Sequence, residues 1–267
     1  MKRFVLASAL LVTAAGSAWA DFDDALAAYR AGDFTRALDE WAILAKYDPA
    51  AQTNIGEMYL RGEGVEKDRD VAIHWFRRAA DRDFPEAQYR LGRLYMGEDN
   101  EEAARWLKAA AEHGHVQALN SLASLYEAGQ GVPMDLREAF LLRRKAAESG
   151  NAVAAAMLGS MYAEGKGVAR NDSEAVAWYR KAAEQGYFFA QSRLGAMYRD
   201  GRGVPQDLVE AHMWFTLSAQ SAPGELSKLY AKRRSAVEQR MSPSEVIDAL
   251  QLAREWRPTA AAHGPAN

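Results

Sequence analysis

A chain of 267 residues that is 49% hydrophobic and 26% charged has the composition of a folded globular protein, which sets aside disordered and collagen-like chains. Its 33 basic and 36 acidic side chains leave a net charge of −3, which gives nucleic acid little electrostatic purchase. The lack of any cysteine excludes disulfide scaffolds, thiolate zinc sites and thiol catalysis.

Residues 1–20 have the three parts of a secretory signal peptide. Lys2 and Arg3 are followed by an apolar run from Phe4 to Ala15 and then by Ala18-Trp19-Ala20. The run falls short of the ~20 residues that a membrane span requires. Cleavage is predicted after Ala20, releasing a periplasmic or secreted chain without a membrane span. Residues 21–50 read as a capping helix pair around the turn Gly32-Asp33-Phe34, with Ala25, Leu26 and Tyr29 facing Ala37, Leu38 and Trp41.

From Ala51 a pattern repeats. Ala, Leu or Ile, Gly and Tyr recur at Ala51/Ile55/Gly56/Tyr59, Ala87/Leu91/Gly92/Tyr95, Ala154/Leu158/Gly159/Tyr162 and Ala190/Leu194/Gly195/Tyr198. A further copy, Ala118/Leu122/Tyr126, has Ala123 in place of Gly. At 100° per residue these positions form one helical face, and the Gly permits a close neighbour. All copies but the second run into Gly-x-Gly-Val, a helix stop that uses left-handed backbone. Asp68, Asp135, Asn171 and Asp207 then read as N-caps. Glu138, Glu174 and Glu210 are expected to complete capping boxes. Trp75, Trp106, Trp178 and Trp214 share one register, filled by Leu142 in the third copy, and read as packing between helices. The second copy is five residues short, which is either neutral loop shortening or a local bend.

The prediction is an all-α chain of about fourteen helices. Five repeats occupy residues 51–222, capping helices 223–256 include a capping box at Ser242-Pro243-Ser244-Glu245, and 257–267 form a flexible tail. The fourth copy, from Ala154 through Lys181-Ala182-Ala183 to Gly186, resembles the Sel1-like repeat, a relative of the tetratricopeptide repeat. That resemblance implies a right-handed α-solenoid of stacked helix–turn–helix units, used as a protein-binding scaffold.

Catalytic signatures are missing: the chain has no Gly-x-Ser-x-Gly, no His-Glu-x-x-His and no Ser-x-x-Lys. No cofactor and no metal is expected. His113 and His115 flank Gly114 in what reads as a solvated turn, and a metal would need further ligands there. Asn171-Asp172-Ser173 fits a glycosylation sequon, but Asn171 falls in the N-cap register.

In tetratricopeptide-like stacks the first helices line the binding side. The resemblance therefore points to the positions opposite the buried arc as a groove. Of these, Asn54, Tyr89, Arg90, Arg93, Asn120 and Arg193 are the candidate partner-binding residues, with Arg suited to carboxylates. Phe188 and Phe189 depart from the repeat pattern in what reads as an inter-repeat turn, and are candidate anchors. The expected function is a non-enzymatic periplasmic adaptor that holds a protein or peptide partner of the cell envelope. The alternative is a component binding cell-wall glycan or exported polysaccharide machinery. A β-lactamase-like hydrolase, the activity of some cysteine-rich Sel1-like proteins, ranks last because the paired cysteines are missing.

Overall fold

The structure is a computed structural model and describes residues 22–259, so the predicted signal peptide lies outside the described residues. Fourteen helices and no strand occur among these residues. The chain divides into two compact units, one ending at Ala118 and one beginning at Leu119.

The first unit opens with α1 (22–30) and α2 (Phe34–Leu44), which enclose Ala25, Ala37 and Trp41. It continues with α3 (Pro49–Arg61), α4 (Arg69–Ala80), α5 (Pro85–Tyr95) and α6 (Asn100–Glu112). Helix α3 packs on α4, α4 on α5 and α5 on α6, with a lighter α3–α5 contact. The shortened connection of the second copy is a turn over residues 96–99. Arg69 pins it to α4, donating from Nη2 to the Leu94 carbonyl and to Glu98 Oε2 at 2.7 Å.

Helix α7 (Val116–Ala128) leads into the second unit. This contains α8 (Leu136–Glu148), α9 (Ala152–Glu164), α10 (Asp172–Glu184), α11 (Phe188–Asp200), α12 (Leu208–Ser221), α13 (Gly224–Glu238) and α14 (Pro243–Glu255). Each helix from α8 to α12 packs on the next, and α14 returns onto α12. The unit is an α-solenoid whose repeating element is a pair of antiparallel helices.

The repeat glycines allow these pairs to close. A Cβ added at Gly159 would lie 2.8 Å from Tyr179 Cδ1, and one at Gly92 would lie 2.6 Å from Leu107 Cγ. The second glycine of the Gly-x-Gly turns at Gly167 and Gly203 has a different task. Gly167, at φ +69°, abuts the carbonyl of Leu136 at the start of α8, and Gly203 meets Asp172 in the same way at the start of α10. A turn of one repeat is thus seated on the backbone of the repeat before it.

The N-caps form as expected, but the three predicted capping boxes do not. The side chain of Asp135 accepts from the backbone N–H of Arg137 and Glu138, and that of Asn171 from Ser173 and Glu174. A box needs the N-cap N–H as its second donor, and that group is already engaged. Asp135, Asn171 and Asp207 donate it to the carbonyls of Tyr126, Tyr162 and Tyr198. One freed glutamate takes a different partner: Glu210 Oε2 accepts from the Trp214 indole at 2.9 Å. Glu102 does the same for Trp106 at 3.0 Å. The box at Ser242 and Glu245 is present.

The segment expected to be loose begins in contact with the fold. Thr259 donates its backbone N–H to the Glu184 carbonyl at 2.8 Å, and residues 260–267 lie outside the described residues.

His212 of α12 is 1% exposed, and neither ring nitrogen has a hydrogen-bond partner. Burial pushes its pKa down, against the pull of Glu238, whose carboxylate lies 3.6 Å from Nε2. The folded state therefore keeps the ring neutral while the unfolded chain binds a proton near pH 6.5, at about the ordinary value. Unfolding then takes up protons, so stability rises with pH in this range. Thermal melting should show full stability from His212 above about pH 6.5 and a decline as the pH falls toward 5. His212→Leu should flatten that slope; an unchanged slope would remove His212 as its source.

Candidate functional site

The candidate residues fall into two separate constellations. In the first unit, Arg90 of α5 is held by two carboxylates. Its Nε donates to Glu86 Oε1 at 2.7 Å, and Nη1 lies 3.1 Å from Glu57 Oε1 on α3. Glu57 also pairs with Arg61 at 3.2 Å. Glu86 meets His115 Nε2 at 2.9 Å, and the Tyr89 ring stacks on His115 with centroids 4.5 Å apart. The hydrogen bond from His115, aided by Arg90 and opposed by burial, holds the Glu86 carboxyl below its ordinary pKa.

His115 does not stand in a solvated turn. It is half-buried, and its Nδ1 accepts from the Ala118 backbone N–H at 3.2 Å, which caps the first turn of α7. That acceptor role assigns the ring proton to Nε2, facing Glu86. Arg90 is consequently engaged by acids of its own chain. Arg93, one turn on, is exposed and has no ion-pair partner among the described residues.

The buried face of the first helices is wider than the predicted arc. Thr53, Ala156 and Ser192, two residues past the repeat Ala and expected on the open face, are buried, while Tyr89 and Asn120 in the same register are half-buried. In the first unit α3 packs on α5 as well as on α4, and in the second Ser192 accepts a hydrogen bond from Arg233 of α13. Asn54, one position on, is half-buried. Asn120 Oδ1 is buried without a hydrogen-bond partner.

In the second unit, the structure brings Phe188, Phe189 and Arg193 together. The two phenylalanines form the first turn of α11, with Tyr187 as the N-cap residue, in place of the inter-repeat turn expected. They are half-buried, and the Phe188 ring lies 6.4 Å from that of Tyr230 on α13. Leu226 and Leu229 of α13 face the same cleft, at 40% and 43% exposure. The Arg193 guanidinium stands over the Phe189 ring at 4.9 Å, and Arg233 over Tyr230 at 5.5 Å. Arg233 Nη1 also donates to Ser192 Oγ at 2.8 Å. The cleft holds about 290 Å³, enough for one or two side chains and at the lower limit of small-ligand pockets.

Sequence reasoning missed Arg143. It occupies the register of Phe76, Leu107, Tyr179 and Phe215 in the other copies, and its side chain is only 5% exposed. Nη2 donates to Glu127 Oε2 at 2.7 Å and lies 3.4 Å from Ser124 Oγ, while Nε is buried without a partner. The facing helix position is Ala123, where the other copies have Gly. Two coupled departures from the repeat were the available signal.

Among the described residues no group of three metal-ligating side chains converges, and no helix is long and apolar enough to cross a membrane.

A model of the Sel1 repeat matches residues 49–84, 85–115, 116–151, 152–187 and 189–222. Among solved structures, a Sel1 repeat protein from Oxalobacter formigenes aligns with a TM-score of 0.73 and 30% identity, over 87% of this chain and 96% of that one. The protective antigen c5321 of uropathogenic Escherichia coli, which displays an SLR fold, aligns with a TM-score of 0.55 and 25% identity over 91% of this chain and 62% of its own. The alginate biosynthesis protein AlgK of Azotobacter vinelandii is 32% identical over 118 residues, and the match spans 25% of that protein's length. Sel1 repeat proteins are generally protein-interaction scaffolds, and their fold is typically non-enzymatic. The five matched repeats cover well over half of the sequence, and the chain belongs to the Sel1 repeat family.

Proposed function

We propose that this chain is a non-enzymatic adaptor of the periplasm that holds a partner protein or peptide of the cell envelope. The observation that carries this reading is the cleft of the second unit, where Phe188 and Phe189 stand beside Arg193. Half-buried aromatics next to arginine are the composition of energetic anchors in protein interfaces. The signal-peptide pattern of residues 1–20 supports export, and the lack of any nucleophile-and-base motif supports a binding role.

A photo-crosslinking residue placed at Arg93 or at Leu226, on the lip of the cleft, tests the reading in intact cells. One dominant envelope protein captured at either position is expected. Capture of none at both positions, or turnover of nitrocefin by the purified chain, would overturn it.

A second reading has its own support in the match to an alginate biosynthesis protein. On that reading the chain is a component of polysaccharide-export machinery, and the protein captured would belong to that machinery.

A further inference from the structure

We propose that the cleft between α11 and α13 recognises an acidic peptide segment of the partner, in which one bulky apolar side chain stands between two carboxylates. The proposal rests on the adaptor reading and adds the chemistry of the ligand.

The floor and lip of the cleft define the apolar half. Phe188, Phe189 and Tyr230 supply ring surface, and Leu226 and Leu229 remain two-fifths exposed on the lip. An unfilled apolar surface of this kind gains from burying a matching side chain. The volume of about 290 Å³ limits that occupant to one large side chain or two small ones.

The two guanidiniums define the polar half. Arg193 comes from α11 and Arg233 from α13, one on each wall, and neither has a carboxylate partner among the described residues. Each lies against an aromatic ring, Arg193 on Phe189 and Arg233 on Tyr230. Such a contact occupies the face of the guanidinium, and its N–H edges stay available for a carboxylate. Arg233 uses one N–H on Ser192 Oγ, which steadies it with donors to spare. Two positive charges on opposite walls call for two negative charges, one on each side of the buried side chain. A single terminal carboxylate would leave one guanidinium unanswered. The contrast with the first unit is direct, since Arg90 is already answered by Glu57 and Glu86.

Panning a phage-displayed random heptapeptide library on the purified full chain tests this. The enriched sequences should carry Asp or Glu on both sides of a Trp, Phe, Leu or Met. Synthetic versions should bind less tightly as salt rises, because the carboxylate contacts are exposed to screening. Arg193→Gln with Arg233→Gln should weaken that binding by about tenfold or more. Leu229→Glu, at an exposed position that should leave the fold intact, should weaken it similarly by setting a like charge in the cleft. Enrichment of peptides without acids, no enrichment at all, or affinity unchanged in both variants would overturn the proposal. So would displacement of the peptide fluorescence signal by alginate oligosaccharide with equal affinity in wild type and Phe189→Ser, which would assign the arginines to a glycan. Failure here, with a partner still captured at Arg93, would leave the adaptor reading standing and remove only the cleft chemistry.

Discussion

Glu127→Ala is expected to lower the unfolding free energy by about 2–3 kcal/mol, a little under the ~3–5 kcal/mol cost of orphaning a fully buried charge. The Arg143 side chain is 5% exposed and a guanidinium carries five donors, so it must keep a partner or draw water into the space between α7 and α8. Glu127 itself is one-third exposed, at 33%, which gives water a route to the guanidinium and keeps the loss from being larger. The reciprocal experiment is more informative. Ala123→Gly combined with Arg143→Leu copies the pairing of Gly92 with Leu107 and removes the charge with its space. That double variant should melt within about 1 kcal/mol of wild type, because a buried ion pair and a packed apolar pair are often close in energy. Urea unfolding of the three proteins decides the matter. A silent Glu127→Ala would show that Arg143 is solvated in the folded protein.

Gly167→Ala should cost about 3 kcal/mol or more, which is a fall of roughly 6–12 °C in melting temperature for a chain of this size. Two penalties combine. The left-handed backbone at φ +69° disfavours any Cβ, and the added atom would collide with the Leu136 carbonyl of the preceding repeat. Gly165→Ala separates them. It shares the left-handed backbone, at φ +73°, but its added Cβ would meet Arg170 alone, nearest at Cβ at 3.4 Å, an ordinary contact. It should therefore cost only about 1–2 kcal/mol. Equal melting temperatures for the two variants would mean that the repeat-to-repeat seating contributes nothing.

Most of the architecture was legible because it is periodic. Ala, Leu, Gly and Tyr on one helical face, a glycine turn and an Asp or Asn N-cap recur through five copies with single departures (Ala123 for Gly, and no glycine turn in the second), and the structure builds that unit. What escaped prediction sits where a side chain has more than one available partner. Glu210 could have closed a capping box, but Tyr198 had already taken the N-cap proton, leaving the Trp214 indole. Arg90 could have faced a ligand, yet Glu86 stands one turn before it on α5, a pair the helical wheel does bring together, and Glu57 reaches it from α3, which the wheel of one helix cannot show. The cleft was half legible. Phe188, Phe189 and Arg193 stood out in the sequence, while Leu226, Tyr230 and Arg233 lie on an amphipathic basic helix that the pattern shows but that stands outside the repeat, so no repeat register placed it against α11.

The glycine turns carry an evolutionary consequence. Gly167 rests on the Leu136 carbonyl and Gly203 on that of Asp172, so these seams join main chain to main chain and do not depend on which side chains flank them. A tandem duplication or deletion of one 36-residue module, such as 152–187, would recreate the same seam without compensating mutations on either side. Array length in such a chain can therefore drift by whole modules while the surface of each module diverges freely.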